Sequence, residues 1–319
     1  MSARVSALLW LALVAVFLAS LIVPLQPLIA VDRGLAGAVL VELRLPRALL
    51  ALIYGATLAA SGAAIQALFA NPLASPDLTG TTSGAALGAV VTAYLLGFAA
   101  PIALSIGSVA GAFGALFLLI ALAGSKAETA TLLLSGLAIS ALAGALTTLA
   151  LALAPSPFAF YDAYDWLMGS LIDRSLEQAA FAAIPSILTI AALLRLGPAL
   201  DRLALGEEVA QSLGDNIARL RLMVICLSAL GVGACVAICG AIGFIGLIAP
   251  IFARRLTRGH PGRAILASAL IGALLLSLAD MTVRLAPLGR TLPIGVVTAL
   301  IGAPFFLWLV AHMRWRLSA

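Results

Sequence analysis

Charged residues divide this chain into long apolar stretches. No Asp, Glu, Lys or Arg occurs in 5–31, 48–76, 78–125, 129–161, 178–194, 222–253, 264–279 or 291–313. A helix needs about 20 apolar residues to cross the hydrocarbon core of a bilayer. Each stretch therefore supplies at least one span, the shorter ones by recruiting flanking residues. The run 78–125 is broken at Gly97–Pro101 and reads as two helices. In 129–161, Pro155 and Pro157 end the helix, and the segment 155–178 reads as a loop outside the membrane. The span that begins at 264 continues past Asp280 towards Arg284. The apolar stretch after Arg4 exceeds the ~7–15 residues of a signal-peptide core, and no clean A-x-A site follows it. It reads as a retained first helix.

The run 222–253 decides the topology. As one helix it would put Arg219 and Arg221 across the membrane from Arg254, Arg255 and Arg258. A break at Gly240-Ala-Ile-Gly243 makes two spans instead and returns those arginines to one side. The expectation is then ten helices with both termini inside. Twelve basic residues face the cytoplasm: Arg4, Lys126, Arg195, Arg202, Arg219, Arg221, Arg254, Arg255, Arg258, Arg263, Arg314 and Arg316. Six face out: Arg33, Arg44, Arg47, Arg174, Arg284 and Arg290. Acidic residues split evenly, apart from Asp280 inside a span. A basic excess inside without an acidic bias is the positive-inside pattern.

Composition agrees with this reading. Of 319 residues, 63% are hydrophobic and 10% charged, where a soluble domain carries about 25% charge. Mean hydropathy is +1.18. Soluble enzymes and disordered chains are excluded, leaving an all-α polytopic membrane protein, a single domain over 1–319. The net charge of +5 is spread along the chain and forms no basic stripe for nucleic acid. The partner that composition demands is the lipid bilayer.

Small residues predict close helix packing. Gly80, Gly84 and Gly88 recur at four-residue spacing, as do Gly107 and Gly111, with Gly114 on the next turn. Such spacing lets backbones approach where lipid supplies no hydrophobic drive between helices. A weak internal repeat also appears. Gly55-Ala-x-x-Ala-x-x-Gly62-Ala with Pro72 matches Gly233-Ala-x-x-Ala-x-x-Gly240-Ala with Pro250, and Pro101-Ile102 before Phe113 matches Pro293-Ile294 before Phe305. Halves five helices apart would run in opposite directions, the inverted-repeat logic of many transporters.

Catalytic chemistry is hard to find. No G-x-x-x-x-G-K-[ST] loop is present, so the chain does not bind ATP that way. His260 and His312 fall at helix ends, and Cys226, Cys235 and Cys239 fall in one apolar helix, where cysteine serves as a small hydrophobe. Asp280 is the one candidate for ion coupling at membrane depth. Arg284 lies one turn later on the same face, and an i,i+4 pair explains it. The energy source is then outside this chain. An ion-driven secondary transporter, the competing class, requires Asp280 itself to be essential. A membrane-embedded enzyme requires a polar cluster the sequence lacks.

Four segments stand out. Arg44-Leu-Pro-Arg47 opens the second helix, its arginines suited to snorkelling or to bidentate pairing with a partner's carboxylates. Asn71-Pro-Leu-Ala-Ser-Pro76 reads as a rigid polar turn at the inner surface. Residues 206–217 form the longest cytoplasmic stretch of helical character, with Val209, Leu213, Ile217 and Leu220 in one apolar stripe and Gly214 as a turn or C-cap. Its acidic first turn suits contact with a cytoplasmic protein better than an anionic lipid surface. The last segment joins the Gly243–Pro250 break to Leu292–Pro304.

With these segments in view, the chain resembles the FecCD-type permeases of bacterial ABC importers. The resemblance rests on RLPR (44–47), SGAAIQALFANPLASPDLTG (61–80), GEEVAQSLG (206–214), GAIGFIGLIAP (240–250) and LPIGVVTALIGAPFF (292–306), in order from 44 to about 310. That family implies the type II ABC importer permease fold of ten helices, in the bacterial inner membrane. It implies a homodimer or a pair of homologous permeases, two cytoplasmic ABC ATPase subunits that hold ATP and Mg, and a periplasmic substrate-binding protein. No cofactor is implied in this chain. The cargo implied is an iron chelate, a ferric siderophore or haem, with vitamin B12 as the alternative.

By the same resemblance Arg44, Arg47 and Arg284 match outer arginines that receive acidic residues of the binding protein. Glu207, Glu208, Val209, Gln211, Ser212, Leu213, Gly214, Asp215 and Asn216 match the coupling helices that contact the ATPase. Asn71, Pro72, Ser75 and Pro76 match the loop near the inner gate. The path is implied to run between two permeases along the helix at 130–154, with Ser135, Ser140, Thr147 and Thr148 as candidate polar lining. Arg290 lies beyond the pattern as a possible addition to the docking surface. One departure stands out: the family often reads Pro-His where this chain has Pro250-Ile251.

Overall fold

The computed structural model describes residues 3–23, 32–98, 100–124, 129–154, 156–285 and 292–317. Lys126, Pro155 and Arg290 lie outside them. Among the described residues thirteen α-helices run in order: α1 (Ala3–Ile22), α2 (Arg33–Ala38), α3 (Leu45–Leu68), α4 (Thr81–Tyr94), α5 (Pro101–Ala123), α6 (Thr129–Ala152), α7 (Pro157–Leu167), α8 (Leu176–Leu203), α9 (Glu207–Ser212), α10 (Ile217–Cys239), α11 (Ile245–Leu256), α12 (Pro261–Leu285) and α13 (Ile294–Leu317). A π-helical stretch, Val39–Arg44, joins α2 to α3, and a 3₁₀ turn, Pro76–Thr79, precedes α4. No strand occurs among the described residues.

Among the described residues, seven helical stretches are long and apolar enough to cross a membrane: α1, the continuous α2–α3 stretch, α5, α6, α8, α10 and α12. The shorter α4 and α11, with α13, whose apolar part is Ile294–Leu309, complete the expected ten. Helices α3, α10 and α12 form the centre, with 78%, 72% and 67% of their best apolar windows buried, against 6% for α1 and 28% for α5, α6 and α8. Around α3 pack α12, α8, α11 and α10, while α4, α5 and α6 form a second group joined to the first through α10.

Glycine-to-glycine approach holds both groups together. A methyl group on Gly62 would lie 1.8 Å from the carbonyl oxygen of Gly246, and one on Gly55 would lie 2.4 Å from that of Gly272. In the second group the expected motif forms: Gly88 meets Gly107 and Gly84 meets Gly111. Gly114 takes no part, with nothing within 4 Å of the place its Cβ would fill. Gly80 is not helical; it takes φ +78° as the N-cap of α4.

Two irregular segments lie inside the bundle. The break expected between α10 and α11 is real, with Gly240 at φ +71° and Phe244 at φ +67°. Backbone groups freed at membrane depth need partners within the protein, and Tyr54 supplies one. Its buried hydroxyl donates to Gly240 O at 2.9 Å and accepts from Ile242 N at 3.3 Å. Tyr54 lies about 14 Å along α3 at 1.5 Å per residue, so the break sits well within the bundle. Tyr54→Phe orphans both groups. The expected loss is about 1–3 kcal/mol of stability, read as a lower melting temperature in detergent with the helical signal unchanged at 20 °C.

The second segment, 70–80, differs from the expected surface turn. Asn71 and Pro72 are half-buried, but Ala74, Ser75 and Pro76 are buried, and the segment folds back into the bundle. Its backbone is satisfied locally. Asn71 Oδ1 accepts from Leu73 N at 2.9 Å, and the hydroxyls of Thr79 and Thr81 donate to Pro76 O.

A second difference concerns 155–178, expected as loop. It contains α7, started by Ser156, whose hydroxyl accepts from Ala159 N at 3.1 Å, with Pro157 in the first turn. The end of α7 wedges into the α10–α11 break. A Cβ on Gly240 would lie 1.8 Å from Trp166 O, Ser170 N donates to Cys239 O at 2.8 Å, and Ile294 N donates to Gly169 O at 3.0 Å. The first repeat match pairs α3 with α10, the second and seventh spans, which run in opposite directions. The second match pairs α5 with α13, the fourth and tenth, which run the same way. Only the first fits an inverted repeat.

Candidate functional site

Two polar clusters lie at opposite ends of the bundle. At one end the π-stretch and the start of α3 bring Arg44 and Arg47 beside the last turns of α12. Nε of Arg47 donates to Asp280 Oδ1 at 2.7 Å. Arg284 NH2 lies 2.7 Å from Asp280 Oδ2, forming the expected i,i+4 pair. Asp280 thus carries two guanidiniums, where the sequence suggested one. Arg284 NH1 also donates to Ser20 O at 2.8 Å, and Arg44 NH1 to Leu21 O at 3.1 Å. These are carbonyls of the last turn of α1, which has no intrahelical donors for them. The structure therefore brings together all three arginines singled out in the sequence. It also leaves Arg47 and Arg284 only 15% and 11% exposed.

At the other end lies α9. It begins after Gly206, at φ +112°, and closes at Gly214, at φ +92°. The expected stripe of Val209, Leu213, Ile217 and Leu220 is split there. Val209 and Leu213 are 41% and 58% exposed, whereas Ile217 and Leu220 are buried in α10. Gly214 turns the chain between the two pairs, and Asn216 caps α10 by accepting from Arg219 N at 3.0 Å. Ala210, which the sequence did not single out, is fully buried and seats α9 on the bundle.

Two ion pairs hold this helix. Arg202, in the last turn of α8, grips Asp215 with both fork nitrogens, Nε to Oδ2 at 2.6 Å and NH2 to Oδ1 at 2.7 Å. Arg221 of α10 pairs with Glu207. Hydrogen bonds from Arg202 hold the Asp215 carboxyl below the usual carboxylate range. A depressed carboxylate keeps its contribution above its unfolded pKa and loses it as pH falls through the lower folded value, so this clamp is intact at neutral pH. A polar groove beside it is lined by Glu207, Gln211, Asp215, Asn216 and Arg221. Glu208 and Ser212 face solvent.

The remaining candidates sit between the two ends. Ser140 donates to Asp77 O at 3.0 Å, tying α6 to the 70–80 segment. Thr147 is buried and Thr148 exposed, and each hydroxyl bonds the carbonyl one turn earlier in α6. Ser135 is half-buried. Ile251, at the departure from the family pattern, is half-buried in α11.

Comparison with known proteins follows this geometry. A sequence profile described as the FecCD transport family matches residues 6–312. The chain is 39% identical over 270 residues to the Fe(3+)-citrate import system permease protein YfmE of Bacillus subtilis, covering 84% of this chain and 80% of the relative. It is 40% identical to the Fe(3+) dicitrate transport system permease protein FecD of Escherichia coli, covering 86% of each chain. It is also 40% identical to the vitamin B12 import system permease protein BtuC of Vibrio cholerae, covering 85% of this chain and 82% of the relative. A solved structure described as an inward-facing conformation of a metal-chelate type ABC transporter superposes with a TM-score of 0.87 at 34% identity, covering 98% of this chain and 100% of the other.

Proposed function

Because the chain belongs to the FecCD transport family, we propose that it is the membrane permease of an ATP-driven importer carrying an iron chelate, a ferric siderophore or haem, into the cytoplasm. It is a multi-pass membrane protein, and its work is transport rather than catalysis. The observation that carries the reading is the family match over nearly the whole chain, with iron-chelate permeases among the relatives.

The finer parts extend from that base. The arginine end faces the periplasm, and the α9 end and both termini face the cytoplasm of a bacterial inner membrane, as the excess of basic residues at the α9 end supports. Two copies, or this chain and a homologous permease, enclose the path, with α6 along it. Arg44, Arg47 and Arg284 receive acidic residues of a periplasmic binding protein. Residues 207–216 contact two cytoplasmic ATPase subunits, which hold ATP and Mg. The 71–76 segment, folded into the bundle beside α11, serves as part of the inner gate. Alternating access then follows: ATP closes the ATPase dimer, α9 passes the displacement to α8 and α10, and the cavity changes its open side.

A cobalamin reading has the support of a vitamin B12 permease at 40% identity. Reconstitution with the cognate binding protein and ATPase separates the two. Proteoliposomes are expected to accumulate a ferric chelate in an ATP-dependent manner and to leave cobalamin outside. Uptake of cobalamin alone would replace the iron reading, and ATP-independent uptake of either would overturn the importer.

A further inference from the structure

Asp280 is 1% exposed, yet it faces two guanidiniums from different helices. Its i,i+4 partner Arg284 alone would account for its charge. The bond from Arg47, 233 residues away, remains unaccounted for by that pairing. Arg44 stands close enough to feel the charges of both other arginines, and its NH1 donates to a backbone carbonyl, Leu21 O. Among the described residues no carboxylate lies within ion-pair distance of Arg44. Two guanidiniums therefore share one carboxylate while a third stands beside them, and the array is short of negative charge by two.

Stability is a weak reason for such a group. A buried ion pair roughly breaks even against desolvation, and here two cations remain uncompensated. Arginine offers five donors in a rigid fork. Arg284 spends NH1 on Ser20 O and turns NH2 to Asp280, whereas Arg47 spends only Nε on Asp280 and Arg44 only NH1 on Leu21 O. The donors left over suit a carboxylate arriving from outside. Charges withdrawn from bulk water also act on one another strongly, so Asp280 opposes the arrival of that second carboxylate.

We propose that Asp280 is a resident competitor within the docking array: by pairing with Arg47 and Arg284 it weakens the array's hold on a carboxylate of the binding protein, so that the partner leaves after each cycle. The proposal rests on the reading of this end as the docking surface.

The test measures docking of the cognate binding protein to the assembled transporter in nanodiscs. Asp280→Asn and Asp280→Ser are run side by side, so that one poorly folded variant does not decide the outcome. Either is expected to bind the partner about tenfold more tightly, a change of ~1.4 kcal/mol. The gain should come from slower dissociation, with a steeper salt dependence and a lower transport turnover. Asp280→Glu, which restores the charge, should return all three readouts towards wild type. Wild-type affinity and salt dependence in the neutral variants would overturn the proposal. So would docking lost together with melting temperature in both, which would make Asp280 a stability residue. The reading beneath is checked separately by Arg44→Glu with Arg47→Glu. Unchanged docking there removes the docking surface itself, whatever Asp280 does.

Discussion

Gly62→Ala will leave little folded permease, whereas Gly114→Ala will be neutral or mildly stabilising. The two substitutions are chemically identical, and both glycines lie in long apolar helices. They differ in what the new methyl group meets. At Gly62 it would stand 1.8 Å from a backbone oxygen of Gly246 and within 3 Å of two further backbone atoms. Backbone cannot rotate away as a side chain can, so α3 and α11 must separate. Separation opens the centre of the bundle, where Leu58, Ala59, Ala63 and Ile245 are buried. Overpacking typically costs 1–3 kcal/mol, and at a backbone contact about 3 kcal/mol or more is expected. Against a total stability of about 5–15 kcal/mol that is a large fraction. At Gly114 the methyl group meets nothing, and alanine favours helix over glycine by about 1 kcal/mol. Detergent extraction followed by size-exclusion chromatography and thermal melting checks both. Equal melting temperatures for the two variants would show that the glycine contact does not hold the bundle together.

Replacing Val209 and Leu213 together by serine will uncouple ATP hydrolysis from transport. Both side chains are apolar and exposed, set among Glu207, Glu208, Gln211 and Ser212. Burying one such side chain against a partner contributes about 1.5–3 kcal/mol. Losing two in one contact should cut transport at least tenfold while the ATPase subunits continue to turn over. The ion pairs on either side explain why the effect should be on coupling. Asp215–Arg202 ties the end of α9 to α8, and Glu207–Arg221 ties its start to α10. A push received on Val209 and Leu213 is therefore passed to two long helices instead of being lost in a swinging loop. Chelate uptake per ATP hydrolysed, in proteoliposomes, is the measurement. An unchanged ratio would remove α9 from the coupling path.

Much of this was legible before any coordinates. The spacing of charges sets the number of spans, because an ion inside hydrocarbon is costly wherever it falls. Gly240 and Gly243 mark the break because a helix at membrane depth stops only where the chain can turn. The split apolar stripe was legible in part. Gly214 was recognised as a turn, but a period-3.6 pattern runs through it and cannot say that Leu213 stays exposed while Ile217 is buried. Helix α7 was missed although Ser156-Pro157 is a start signal, because two prolines close together read first as a stop. What remained hidden is non-local. Nothing near Asp280 announces Arg47, and nothing near Gly240 announces Tyr54 or Trp166, because these contacts depend on which helices become neighbours. That Arg47 and Arg284 share one carboxylate follows only from the crossing of α3 and α12.

The attachment of α1 also carries a consequence for synthesis. Its last carbonyls receive Arg44, 23 residues downstream of Leu21, and Arg284, 264 residues downstream of Ser20. The second of these donors does not exist until 264 further residues have been added after Ser20. Helix α1 is thus among the last to be fully seated. During most of translation it stands in lipid with its final turn only half satisfied, and the arrival of α12 both completes that turn and closes the bundle.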